Sequence, residues 1–274
     1  MYFKYKDINL YYEQYGNGKE NIIIFPGWGD NRLSFIPMIN MLKNDFSIYI
    51  VDYPGFGKSN FPNNDLNILD YAYMFVNFIN NNKINNPILI GHSFGGRIII
   101  ALCGILKINV QKIILIDSAG IKRRKKLFVR TKERIYKRLK KIKLPKCIFN
   151  KYNELLIKIF GSSDFKNLNP SIRKTFINIV NYDLTDFLTN IKEPTLIIWG
   201  EKDQDTPLAD GILMEKKIKD SGLVIIKNTH HFCYLENFHV NYIIREFLKT
   251  TTATASSASS TAGRKSTSTT CSRG

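Results

Sequence analysis

Apolar positions along the 274-residue chain follow two spacings that take turns. Tyr2–Ile8 and Leu10–Tyr15 alternate apolar with polar and predict a β-hairpin ending at Gly16-Asn17-Gly18. Short runs at Asn21–Phe25, Ser47–Asp52, Pro87–Ile90, Lys112–Asp117, Thr195–Trp199 and Leu223–Lys227 predict six further strands. Between them the apolar residues recur at helical spacing: Arg32–Lys43, Leu66–Lys83 (Leu69, Tyr73, Val76 and Ile79 on one face), Gly96–Lys107, Leu208–Lys219 and Glu236–Lys249. Strands separated by helices of ordinary length imply parallel crossovers, so the fold class is α/β, a mostly parallel, doubly wound sheet. Ligands of such sheets bind at the carboxyl ends of the strands.

One interval breaks the rhythm. Residues 118–191 show helical periodicity without a convincing strand, and they read as a helical lid inserted after Lys112–Asp117. That leaves 1–117 and 192–249 as the core. From Thr250 the chain turns rich in Ser, Thr and Ala, with almost no large apolar residue. Such a segment buries too little surface to offset its ordering entropy, so 250–274 is expected to be a disordered, low-complexity tail.

The chemistry is carried by Gly91-His92-Ser93-Phe94-Gly95-Gly96, which follows the strand Pro87–Ile90 and opens a helix. Small residues on both sides of a serine permit a sharp strand-to-helix turn, a G-x-S-x-G elbow that extrudes the hydroxyl above the first helical turn. The amide dipoles there favour developing negative charge. Glycine and serine are also common in ordinary turns, so the pattern gains weight only with its partners.

A neutral serine needs a base and a group to orient that base. The chain has four histidines: His92, His230, His231 and His239. His92 lies inside the elbow, where its side chain should diverge from Ser93, and His239 falls within the last helix. His230 and His231 follow the last strand; His231, which precedes Phe232 and the closing helix, is preferred. The orienting carboxylate should lie after the preceding strand, in Gly200-Glu201-Lys202-Asp203-Gln204-Asp205. Asp203 is preferred, with Glu201, Asp205 and Asp117 as competitors. The backbone amides of Phe94 and Trp28, the latter in Pro26-Gly27-Trp28-Gly29-Asp30, are the expected oxyanion donors.

With Asp52-Tyr53-Pro54-Gly55-Phe56-Gly57-Lys58-Ser59, these pieces run in order from residue 22 to 236. The chain resembles the α/β-hydrolase superfamily, in its lidded, serine-nucleophile group of esterases, meta-cleavage-product hydrolases and proline iminopeptidase-like enzymes. The resemblance implies the α/β-hydrolase fold with a helical lid, and a cofactor-free, metal-free serine hydrolase with Ser93, Asp203 and His231 as its triad. It implies acyl transfer to water, with carboxylesterase-like hydrolysis foremost and C–C hydrolysis open, although Phe232 stands where tryptophan is frequent in the C–C enzymes. Serine at position 93 disfavours dehalogenases and epoxide hydrolases, which use aspartate. Two residues depart from the family pattern: Pro26 where histidine is common, and His230 where glycine is usual.

Charge refines this picture. Of the net +17, residues 121–146 carry fourteen Lys and Arg against one acid, Glu133, and 250–274 add three more with none. The rest is close to neutral, so no general nucleic-acid partner is expected. Phe128, Ile135, Leu139 and Ile142 recur at helical spacing inside the basic segment. It reads as a lid helix with a solvated basic face; the sharper alternative is attraction of an anionic acyl substrate or an anionic membrane surface. The four cysteines show no paired spacing, and no signal-peptide run or membrane span is visible, so a cytoplasmic protein is expected. The rival to a hydrolase is a non-catalytic ligand-binding or membrane-associated protein of the same fold.

Overall fold

The computed structural model describes residues 1–30, 32–122 and 168–250, with short pieces at 134–135, 138–139, 142, 151–152 and 155–156. The tail 251–274 and most of the lid expected between 123 and 167 lie outside the described residues.

Eight strands form one sheet: β1 (Tyr2–Tyr5), β2 (Ile8–Tyr15), β3 (Glu20–Phe25), β4 (Phe46–Val51), β5 (Ile88–His92), β6 (Lys112–Ile116), β7 (Thr195–Gly200) and β8 (Ser221–Ile226). Their order is β1-β2-β4-β3-β5-β6-β7-β8. Only the hairpin strands run antiparallel; from β4 to β8 every pairing is parallel. The hairpin turns at Lys6-Asp7, earlier than the Asn9 that the sequence spans imply, with Tyr5 opposite Ile8 and Lys6 at φ +54°.

Each central strand is buried on both faces, which is why its sequence is an apolar run rather than an alternation. Side chains of successive residues still diverge. Ile22, Ile24, Ile48, Ile50, Ile88, Ile90, Ile114 and Ile116 join one cluster with α1 (Ile36–Leu42) and the last helix. Ile23, Phe25, Leu89, Ile113, Leu115 and Trp199 join the other, with α2 (Ile68–Asn81), α3 (Phe94–Ile100) and Met214. Helices thus cover both faces, as the crossover argument requires.

Helix ends have local causes. Pro37 lies in the first turn of α1, and the preceding Arg32–Phe35 forms a 3-10 turn. Asn67 starts α2 by accepting from the Leu69 and Asp70 amides while Asp70 accepts from the Asn67 amide. After α3 the chain relaxes into a π-helical turn at Ala101–Ile105. Near the end of the expected lid lies α4 (Arg173–Asn181), followed by a 3-10 turn at Thr185–Asn190. Leu184 and Leu188 here are fully buried in the cluster that holds α2 and α3.

Then come α5 (Leu208–Lys217), a short α6 (Cys233–Glu236) and α7 (His239–Lys249). The single closing helix expected from the sequence is therefore two. Asn237 lies between them, and its side chain accepts from the His239 amide to begin α7. The C-terminal end of α7 is tied to the sheet by Lys112, whose ammonium donates to the carbonyls of Phe247 and Leu248 at 2.9 and 3.0 Å.

Candidate active site

Ser93 joins β5 to α3 with φ +49° and ψ −110°, a conformation L-residues rarely adopt. The turn is closed by backbone bonds on both sides: Ser93 N–H to Ile116 O at 3.0 Å and Ala119 N–H to Ser93 O at 2.9 Å. Glycine is obligatory around it. A Cβ on Gly95 would lie 1.9 Å from the Phe25 carbonyl oxygen, and one on Gly91 would lie 2.8 Å from the backbone of Gly95 and Gly96. Strand and helix cross at backbone contact, and the strain is held at one residue.

The consequence is a half-buried hydroxyl facing the loops after β7 and β8. Ser93 Oγ lies 2.9 Å from His231 Nε2, and His231 Nδ1 lies 2.8 Å from Asp203 Oδ2. Asp203 is buried, with its other oxygen accepting from the amides of Asp205 and Thr206 at 2.8 and 3.0 Å. Burial pushes the Asp203 carboxyl up, but the hydrogen bonds from His231 and Thr206 outweigh it and hold the group below the usual carboxylate range. For His231, burial pushes down, while the hydrogen bond and charge of Asp203 raise the imidazole above its ordinary value. An imidazole so placed can take a proton from the serine hydroxyl, and the carboxylate can stabilise the resulting cation.

The competitors are engaged elsewhere. The His230 imidazole is exposed and pairs with Glu236 at 3.1 Å. Glu201 accepts from the Asn228 amide at 2.9 Å, at the outer side of the loop. Asp117 is fully buried, accepts from Gly200 N–H at 2.7 Å and thereby joins the ends of β6 and β7. Burial pushes its carboxyl up to about 7. Asp205 lines the cleft without a hydrogen bond to the His231 ring. Its donor atom, with those of Asp203 and His231, falls within 4.8 Å of the others. Asp203 and His231 already share a proton there, which a cation would have to displace.

A cleft of about 560 Å³ opens over Ser93. Among the described residues its walls include the apolar Trp28, Phe94, Ile121, Phe176 and Val180 and the charged Arg97. The Trp28 and Phe94 rings meet edge to face at 5.0 Å. Both residues border the cleft beside Ser93, and Phe94 is the first residue of α3, where a backbone amide has no partner inside the helix.

Two roles escaped the sequence reading, those of His92 and Thr206. His92 is buried and its Nε2 lies 2.8 Å from the His231 carbonyl oxygen. Thr206 touches both Asp203 and His231 through its hydroxyl. The Asp203-x-x-Thr206 spacing, an Asx-type turn, was the available signal for the latter.

A family model described as alpha/beta hydrolase fold matches residues 20–144. The chain is 28% identical over 256 residues to the pimeloyl-[acyl-carrier protein] methyl ester esterase of Wigglesworthia glossinidia brevipalpis, covering 85% of this chain and 95% of that one. It is 24% identical over 248 residues to the uncharacterized hydrolase YugF of Bacillus subtilis, covering 84% and 90%. Among solved structures, the enol-lactonase from Burkholderia xenovorans LB400 superposes with a TM-score of 0.71 at 18% identity, over 91% of this chain and 100% of that one. No helix among the described residues is long and apolar enough to cross a membrane.

Proposed function

The chain is a hydrolase of the α/β-hydrolase superfamily, and from that premise we propose that it cleaves an ester, thioester or related acyl bond through Ser93, His231 and Asp203. One observation carries the reading: the unbroken hydrogen-bond series from Ser93 Oγ through both nitrogens of His231 to Asp203 Oδ2, at 2.9 and 2.8 Å.

In the first step Ser93 Oγ attacks the acyl carbon while its proton passes to His231 Nε2. The carbonyl oxygen becomes an oxyanion, held by the Trp28 and Phe94 amides; losing one such donor costs about 3–4 kcal/mol of transition-state stabilisation. Collapse of the tetrahedral species expels the leaving group, which takes the Nε2 proton, and leaves an acyl-Ser93. Water then attacks that ester, again giving its proton to Nε2, and Ser93 Oγ leaves with the proton to restore the resting state. Asp203 stays ionised throughout and stabilises the imidazolium.

The apolar walls of the cleft suit an acyl chain, and the Wigglesworthia relative is named as a methyl ester esterase. Carboxylesterase-like hydrolysis is therefore the expected activity. Labelling by a fluorophosphonate probe and turnover of p-nitrophenyl acyl esters test it. Both are expected in the native chain and absent from Ser93→Ala; full esterase activity in that variant would defeat the proposal.

A further inference from the structure

Thr206 lies between β7 and α5, and its main chain is fixed at both ends of the residue. Its amide donates to Asp203 Oδ1 at 3.0 Å, and its carbonyl accepts from the buried Trp199 indole at 2.7 Å. These two bonds need no particular side chain. The hydroxyl does: Thr206 Oγ1 lies 2.7 Å from Asp203 Oδ2, 3.2 Å from His231 Nδ1 and 2.9 Å from the Asp117 carbonyl oxygen. A hydroxyl has one proton to give and two lone pairs to receive with. Asp203 and the Asp117 carbonyl only accept, so they compete for that proton; the ionised Asp203 Oδ2, nearer at 2.7 Å against 2.9 Å, is the stronger acceptor and takes it.

We infer that Thr206 is a positioning residue for the proposed Ser93–His231–Asp203 set: its hydroxyl donates to Asp203 Oδ2 and pins that oxygen opposite Nδ1. The inference rests on that assignment of the three residues. It adds a fourth side chain, one that acts through Asp203 and His231. The Asp117 carbonyl at the end of β6 is the third corner, so the hydroxyl bridges two strand ends beneath the imidazole.

The effect on acid–base behaviour has a definite sign. The titratable groups around His231 are Asp203 and Asp205 from the loop after β7, Asp117 from β6 and His92 from the end of β5. Removing the hydroxyl takes a donor from Asp203 Oδ2, and a carboxylate with fewer donors is more basic and binds the imidazolium more tightly. The acid limb of kcat/KM must then move to higher pH, while kcat falls because the carboxylate is less firmly held.

Four variants test this: Thr206→Val, Thr206→Ser, Thr206→Ala and Ser93→Ala. Thr206→Val is expected to lower kcat about tenfold, the scale of one hydrogen bond to a charged group, with KM within about twofold of wild type. Its acid limb should move to higher pH. Thr206→Ser and Thr206→Ala both lose the methyl group and differ only in the hydroxyl, so their ratio reads the hydroxyl even if Thr206→Val fails to fold. Thr206→Ser should recover most of kcat and the native pH profile, and Thr206→Ala neither. The inference is overturned if Thr206→Ser is no better than Thr206→Ala, or if kcat falls with the acid limb unmoved. Activity persisting in Ser93→Ala would instead strike the underlying assignment, whatever the Thr206 variants do.

Discussion

His92 Nε2 and the carbonyl oxygen of His231 lie 2.8 Å apart, so the residue before Ser93 holds the residue that Ser93 contacts. Burial, together with the nearby His231, pushes the His92 imidazole down to about 3, so it stays neutral, with its proton on the nitrogen that faces the carbonyl. The ring is packed against His231 and Phe232, with centroids 4.9 and 5.0 Å away. The two histidines are thus tied backbone to ring and packed ring against ring.

His92→Phe keeps a ring and removes the donor. The buried His231 carbonyl then loses this partner, at a cost of about 1–3 kcal/mol. Urea denaturation should show that loss, and labelling of Ser93 by a fluorophosphonate should slow because the loop carrying the base is released. Native stability together with a native labelling rate in this variant would mean that the tether is idle.

The pH profile follows from Asp203. Its hydrogen bond and charge outweigh the burial of His231 and raise the imidazole, and the neutral form is the one that accepts a proton. Activity should therefore rise with pH through a midpoint above the ordinary histidine value of about 6.5. Asp203→Asn removes the charge and should move that midpoint down. It should also reduce kcat by on the order of 10⁴, because an amide favours the wrong tautomer of the imidazole. Stopped-flow hydrolysis across the pH range checks both; a native midpoint at or below the ordinary histidine value would contradict the assignment.

Much of this arrangement is legible in the chain because its causes are local. Runs such as Ile22-Ile23-Ile24-Phe25 and Ile113-Ile114-Leu115-Ile116 announce strands buried on both faces. Gly91 and Gly95 announce the elbow, since the close approach of β5 and α3 forbids any Cβ there. What stayed hidden depends on distant segments meeting. The Thr206 hydroxyl meets Asp203 within one loop, but its contacts to Asp117 and His231 form only when the end of β6, the loop after β7 and the loop after β8 converge, and no spacing along the chain encodes that meeting. The break between α6 and α7 escaped for the opposite reason. Apolar periodicity continues through Asn237 and Phe238 and masks the capping role of Asn237, which is written in one side chain.

Arg97 was read only as part of a helix, yet it joins two walls of the cleft. Its Nη1 donates to the carbonyls of Ile179 and Tyr182, at 3.2 and 2.8 Å. These lie at the C-terminal end of α4, where the helix dipole favours a cation; the Ile179 carbonyl also accepts from the Tyr182 amide at 3.2 Å. Burial lowers the guanidinium to about 10, with Asp183 and Asp210 opposing, so it remains charged. Because Arg97 stands one turn beyond Ser93 and α4 contributes Phe176, Ile179 and Val180 to the cleft, this clamp sets the width of the space in front of the serine. Arg97→Met removes both bonds and takes this donor from the Tyr182 carbonyl, at about 1–3 kcal/mol. Arg97→Lys keeps the charge and can restore one bond. Thermal denaturation should rank the three proteins wild type, Lys, Met. Across p-nitrophenyl esters of increasing chain length, KM should change more than kcat in Arg97→Met, with the native chain-length preference flattened. If the Met variant is destabilised but its preference is native, α4 keeps its place without the clamp, and the width of the cleft is set elsewhere.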